Sequence, residues 1–81
     1  MVTAFVMINV GVGWLRKVYT RTDYKEKLMK VTGVKGVYLI FGRYDLMVHL
    51  EGETLDEIPR IVDDEIRNIP GIMRTETFMA F

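Results

Sequence analysis

Apolar residues fill nearly every position from Thr3 to Val10, a density that predicts a strand covered on both faces. Gly11-Val12-Gly13 ends it. From Trp14 to Val31 the composition is helical, with Leu15, Val18, Leu28 and Met29 as expected buried contacts. Thr20-Arg21-Thr22-Asp23 interrupts that pattern, and Asp23-x-x-Glu26 can open a fresh helix as a capping box, so both one long helix and two short ones fit. Gly33 stops the segment. Val37 to Phe41 reads as a second strand, Gly42-Arg43 as a tight turn, and Tyr44 to Glu51 as a third strand. A second helix then carries Leu55, Ile58, Ile61, Val62, Ile66 and Ile69 on one face. A start at Asp56 places Pro59 in the first turn, where its missing N–H costs little; a start at Thr54 places it too deep. Pro70-Gly71 closes the helix, and Ile72 to Phe81 forms the last strand.

The order β-α-β-β-α-β is two βαβ units in tandem. The halves echo each other in Val31-Thr32-Gly33-Val34 and Ile69-Pro70-Gly71-Ile72. Right-handed crossovers then give an α+β, ferredoxin-like antiparallel sheet of order 4-1-3-2, one domain spanning 1–81. Helices cover one face of such a sheet, and the other face, if wet, should be polar. Instead Phe5 and Met7 oppose Ala4, Val6, Ile8 and Val10 in the first strand. In the last strand Met73, Thr75, Thr77, Met79 and Phe81 oppose Ile72, Phe78 and Ala80. Apolar character on both faces predicts a homodimer packed sheet to sheet, a dimeric α+β barrel.

Size sharpens this expectation. At 81 residues the chain buries only about 60–65% of its unfolded surface, which leaves little stability to spare without a partner. Hydrophobic residues make up 49% of it, enough that some of that surface is expected to meet another chain. There is no cysteine, which excludes disulfides and thiolate metal sites. The first strand is too short for a membrane span and has no basic flank, so a cytoplasmic protein is expected.

Eleven basic and eleven acidic residues cancel, which argues against direct nucleic-acid binding. The charges are segregated: Arg16, Lys17, Arg21, Lys25, Lys27, Lys30 and Lys35 precede Asp56, Glu57, Asp63, Asp64 and Glu65. Two solvated helix faces account for this, as does attraction between subunits. Gly11-x-Gly13 lacks the third glycine of a dinucleotide fingerprint, position 16 being Arg, and reads as a turn. With no serine, no cysteine and a single histidine, the Ser–His and Cys–His nucleophile pairs are absent, so no enzyme is expected. A small enzyme on the dimeric α+β barrel is the weaker reading. One strand face does carry polar chemistry: Asp45, Met47, His49 and Glu51 alternate in the third strand. A hydrogen-bonded polar strip accounts for them. A transition-metal site is the alternative, with His49 and Glu51 about 7 Å apart along the strand and Met47 as a soft donor.

Phe41-Gly42-Arg43-Tyr44-Asp45 resembles the Gly-x-Tyr-Asp turn of the Lrp/AsnC effector-binding (RAM) domain. Ala4–Val10 resembles that family's opening strand. Ile69-Pro70-Gly71-Ile72 with Thr75-Glu76-Thr77 resembles its ending, so the likeness covers almost the whole chain. The resemblance implies a regulatory module for a small-molecule effector, usually an amino acid, with no resident cofactor. It implies an effector site formed by the Gly42 backbone, Tyr44 and Asp45 from the turn and by Thr75 and Thr77 from the last strand. It further implies dimers, and tetramers of dimers, with the effector in clefts between dimers. Family members carry a helix-turn-helix ahead of this domain; here the chain opens on the first strand, which implies a stand-alone form that can join full-length Lrp/AsnC regulators. Trp14-Leu15-Arg16 and Thr20-Arg21-Thr22 have no counterpart in the family pattern.

Overall fold

The computed structural model describes residues 1–11 and 21–81. Among these residues four strands form one antiparallel sheet: β1 (Val2–Val10), β2 (Val34–Leu39), β3 (Leu46–Gly52) and β4 (Ile72–Ala80). Their spatial order is β2-β3-β1-β4, the predicted 4-1-3-2 order read from the other edge. β1 pairs with both neighbours, with Val6 opposite Val48 on one side and Thr77 on the other.

Strict alternation along β1 explains which face is covered. Ala4, Val6, Ile8 and Val10 are buried, as are Leu46, Val48 and Leu50 of β3, and all share one core with both helices. Helix α1 (Arg21–Met29) lies on β2, and helix α2 (Glu57–Ile61) lies on β3. α2 runs on into a π-helical turn, Val62–Ile66, closed by the Arg67 N–H donating to the Val62 carbonyl at 2.9 Å. Through this turn Ile58, Ile61, Val62 and Ile66 all reach the core.

The helix starts behave as the proline argument requires. Asp56 occupies the N-cap position and Pro59 falls in the first turn. Half of the Thr54-x-x-Glu57 box forms as well: the Glu57 carboxylate accepts the Thr54 N–H at 3.1 Å and also the Glu53 N–H. A hydrogen bond from the Thr54 hydroxyl holds the Asp56 carboxyl below its usual range. Leu55 is exposed, because it precedes the helix and never joins its buried face.

Other boundaries differ from the sequence reading. β2 begins at Val34 rather than Val37 and ends at Leu39, while β3 begins at Leu46 rather than Tyr44. The connection is therefore residues 40–45, closed by the Ile40 N–H donating to the Asp45 carbonyl at 3.1 Å, and not a two-residue turn. In α1, Leu28 is buried but Met29 is exposed, and the residue that fills the core one turn earlier is Tyr24. The helix already runs at Arg21, so Asp23 lies in its first turn and does not cap it. Trp14, Leu15 and Val18, and with them the choice between one helix and two, lie outside the described residues.

Tyr24 ties the two halves together. Its ring is fully buried, and its hydroxyl donates to the Pro70 carbonyl at 2.7 Å, joining α1 to the turn before β4. Tyr24→Phe is expected to cost about 1 kcal/mol, the ordinary worth of such a bond. Tyr24→Ala is expected to cost about 4 kcal/mol, because it also leaves a cavity. Urea unfolding midpoints of the two variants check the ratio; equal losses would remove the hydrogen bond from the account.

Candidate functional site

The face of the sheet away from the helices carries Phe5, Met7, Met47, Tyr38, Phe78 and Ala80, as the alternation predicts. Tyr38 and Phe78 are about half exposed. Within this apolar surface lies a polar strip. His49 stacks on Phe5, with ring centroids 5.2 Å apart, and its Nε2 lies 3.3 Å from Glu51 Oε2. That nitrogen is shielded from solvent and makes no hydrogen bond, so the contact lacks the geometry of a directional bond. Of the three donors of the metal alternative, His49 and Glu51 thus come together, while Met47 has no recorded contact with them, and transition-metal sites normally take four ligands. Among the described residues no cluster of three His, Cys, Asp or Glu side chains surrounds them, and Asp45 is engaged elsewhere.

The residue 40–45 turn builds the second polar centre. Gly42 has φ +127°, a conformation open to glycine, and no atom lies within 4 Å of the position a Cβ would take. The backbone there is accessible to a ligand. Asp45 anchors the turn: its Oδ2 accepts the Val10 N–H at 2.8 Å, and its own N–H donates to the Ile8 carbonyl at 2.9 Å. Tyr44 crosses β1 to reach β4, its hydroxyl donating to the Glu76 carboxylate. That bond holds the Tyr44 phenol above the ordinary tyrosine value, against the opposing charges of Arg74 and Arg43. The Arg74 guanidinium carbon lies 6.0 Å from the centre of the Tyr44 ring.

Gly42, Tyr44 and Asp45 thus share the turn, and Thr75 and Thr77 lie apart from Tyr44's contacts. Thr75 is opposite Ile8 and Thr77 opposite Val6, so both point to the helix side. The residues that Tyr44 meets, Arg74 and Glu76, occupy the alternate positions. Ile72 also departs from the sequence reading. A bulge at Asn9/Val10 brings it opposite Val10 and into the core margin, instead of onto the face of Phe78 and Ala80. Arg74 and Glu76 were legible as an i, i+2 pair of opposite charges on one strand, a signal eclipsed by the threonines between and after them. A cavity of about 290 Å³ lies at the other end of the sheet, beside Lys35, Glu51, Glu53 and Glu57.

Among the described residues a four-stranded antiparallel sheet carries two helices on one face, which defines an α+β, ferredoxin-like domain. The family model of the Lrp/AsnC ligand binding domain matches residues 3–81, and the chain belongs to that family. It is 32% identical over 79 residues to the HTH-type transcriptional regulator PH1916 of Pyrococcus horikoshii, covering 98% of this chain and 51% of that protein. The chain spans about half the length of the curated relatives it matches. Two solved structures superpose on it over its whole length. The hypothetical protein PHS023 from Pyrococcus horikoshii does so with TM-score 0.82 and 33% identity over 90% of that chain. TTHA0845 from Thermus thermophilus gives TM-score 0.84 and 30% identity over 94% of its chain. The curated relatives are HTH-type transcriptional regulators. Among the described residues no helix is long and apolar enough to cross a membrane.

Proposed function

We propose that this chain is the effector-binding unit of a regulatory oligomer, taking a free α-amino acid or a similar zwitterion at the residue 40–45 turn. The observation that carries the reading is the state of that turn. Its backbone is open at Gly42, while Asp45 and Tyr44 fix it to the ends of β1 and β4 before any ligand arrives. A fixed, accessible backbone offers N–H donors to a carboxylate with little ordering cost. The apolar open face supports assembly sheet to sheet, and the same surface suits co-assembly with full-length Lrp/AsnC regulators that supply the DNA contact. In this reading effector binding acts by favouring one assembly over another.

A thermal-shift screen of the twenty L-amino acids tests the proposal. A ligand at ten times its Kd adds about 1.4 kcal/mol, which in a domain of this size raises Tm by roughly 5–10 °C. At least one amino acid is expected to do so. No shift with any of them at millimolar concentration, on a folded oligomer, removes the reading.

A further inference from the structure

We infer that a second contact joins dimer to dimer, with the basic outer face of α1 on one copy set against the acidic outer face of residues 53–67 on another. The inference rests on the sheet-to-sheet dimer as its building unit and lies away from the effector turn.

Both helices cover the side of the sheet opposite to the face that this dimer buries, so both stay at its surface. Their charges are of opposite sign. Five bases stand against two acids in residues 21–35, and six acids against two bases in residues 53–67. On α1, Tyr24 and Leu28 enter the core, which turns Lys25, Met29 and Lys30 outward; all three are exposed. The two arginines of the acidic segment are held within it. Arg60 pairs with Asp56 at 3.3 Å and Arg67 with Asp63 at 3.6 Å. Asp64 is exposed, and among the described residues no basic side chain pairs with it. Among those residues no ion pair joins Lys25 or Lys30 to the acidic segment either. What links the two segments is a neutral donor, the Thr32 N–H, which reaches Glu65 at 3.2 Å. Each charge excess is thus left unmatched inside the subunit. A second copy matches both at once, and the chain as a whole is neutral. A polyanion would be drawn to α1 and repelled by the acidic segment on the same side of the sheet. Met29 and Leu55, each about half exposed, give both faces an apolar contact as well.

Sedimentation velocity on the full chain tests the contact. At about 0.1 M NaCl the wild-type protein is expected to sediment as an assembly larger than a dimer. At about 1 M NaCl, where the screening length falls from about 10 to about 3 Å, it is expected to sediment as the dimer. Lys25→Glu with Lys30→Glu turns the outer face of α1 acidic; Asp63→Lys with Asp64→Lys turns the other face basic. Each double variant alone is expected to stay a dimer at the lower salt, its dimer-to-dimer affinity reduced about a hundredfold or more, because like charges then meet. Mixed in equal amounts, the two are expected to recover the wild-type assembly, since every acidic face again meets a basic one. Should a reversed variant not fold, Lys25→Gln with Lys30→Gln replaces it and is expected to lose about tenfold in the same affinity. A wild-type dimer at the lower salt, a folded mixture that stays dimeric, or unchanged assembly of the glutamine variant overturns the contact and leaves the sheet-to-sheet dimer standing. A wild-type monomer at the higher salt removes that dimer instead, and the mixture then decides the helix contact by itself.

Discussion

Met47→Glu is expected to abolish the proposed sheet-to-sheet dimer at micromolar concentration. Met47 lies on the open face of β3, between Met7 of β1 and Tyr38 of β2, with apolar neighbours on both sides. In a two-fold sheet-to-sheet contact a change at this position is made twice. An unpaired carboxylate at a desolvated position costs about 3 kcal/mol or more. Two copies therefore raise the dimer dissociation constant by about four orders of magnitude. The buried positions of β3 are Leu46, Val48 and Leu50, on the other face, so the substitution leaves the subunit core untouched. Sedimentation equilibrium of Met47→Glu beside Met47→Leu reads the effect. The leucine variant, similar in volume, is expected to stay dimeric. A dimer of unchanged strength in the glutamate variant places the subunit contact elsewhere. If the glutamate variant is unfolded while the leucine variant is folded and dimeric, folding and assembly are one step, as in many obligate dimers.

Gly33→Ala is expected to remove a large part of the subunit's stability, about 3 kcal/mol or more. Gly33 sits at φ +80°, and a Cβ built there would lie 2.3 Å from the backbone carbonyl oxygen of Glu51. The overlap is with backbone, which cannot swing aside as a side chain can. The positive φ adds about 1–3 kcal/mol of strain, and the overlap a similar amount. The same carbonyl-to-amide approach is what joins the segments, since the Glu51 N–H donates to the Gly33 carbonyl at 2.9 Å. Gly42→Ala is the informative contrast. It shares the positive φ but meets nothing within 4 Å, so only the strain applies and the exposed turn can adjust. Denaturant titrations of the two variants should separate overlap from strain; a smaller loss at Gly33 than at Gly42 contradicts the argument.

Much of this architecture is legible in the sequence, for identifiable reasons. The alternation in β1 and β3 assigns Ala4, Val6, Ile8, Leu46, Val48 and Leu50 to one face before any coordinates are known, and all six are buried. Pro59 places the start of α2 at Asp56 because a missing N–H is harmless only in the first turn. The Gly-x-Tyr-Asp turn is visible as a motif, and the structure keeps its three residues together. Less legible were features that depend on where the chain returns. Nothing near Tyr24 in the chain marks it for the core, and the carbonyl that accepts its hydroxyl belongs to Pro70, 46 residues away. Ile72 changed faces because a bulge shifts the register by one position.

By itself the sequence determined the element order, the sheet topology, the family and the apolar character of both sheet faces. These follow from local periodicity, from turn chemistry and from motifs whose residues are near neighbours in the chain. Only the tertiary structure decided which residues share the polar centre at the turn. Tyr44 meets Glu76 across β1, Asp45 closes on Val10, and Thr75 and Thr77 face the other way. The physical reason is the period of two in a strand: the register between β1 and β4 fixes which alternate side chains stand beside the turn, and register is a relation between strands that one strand's sequence does not contain.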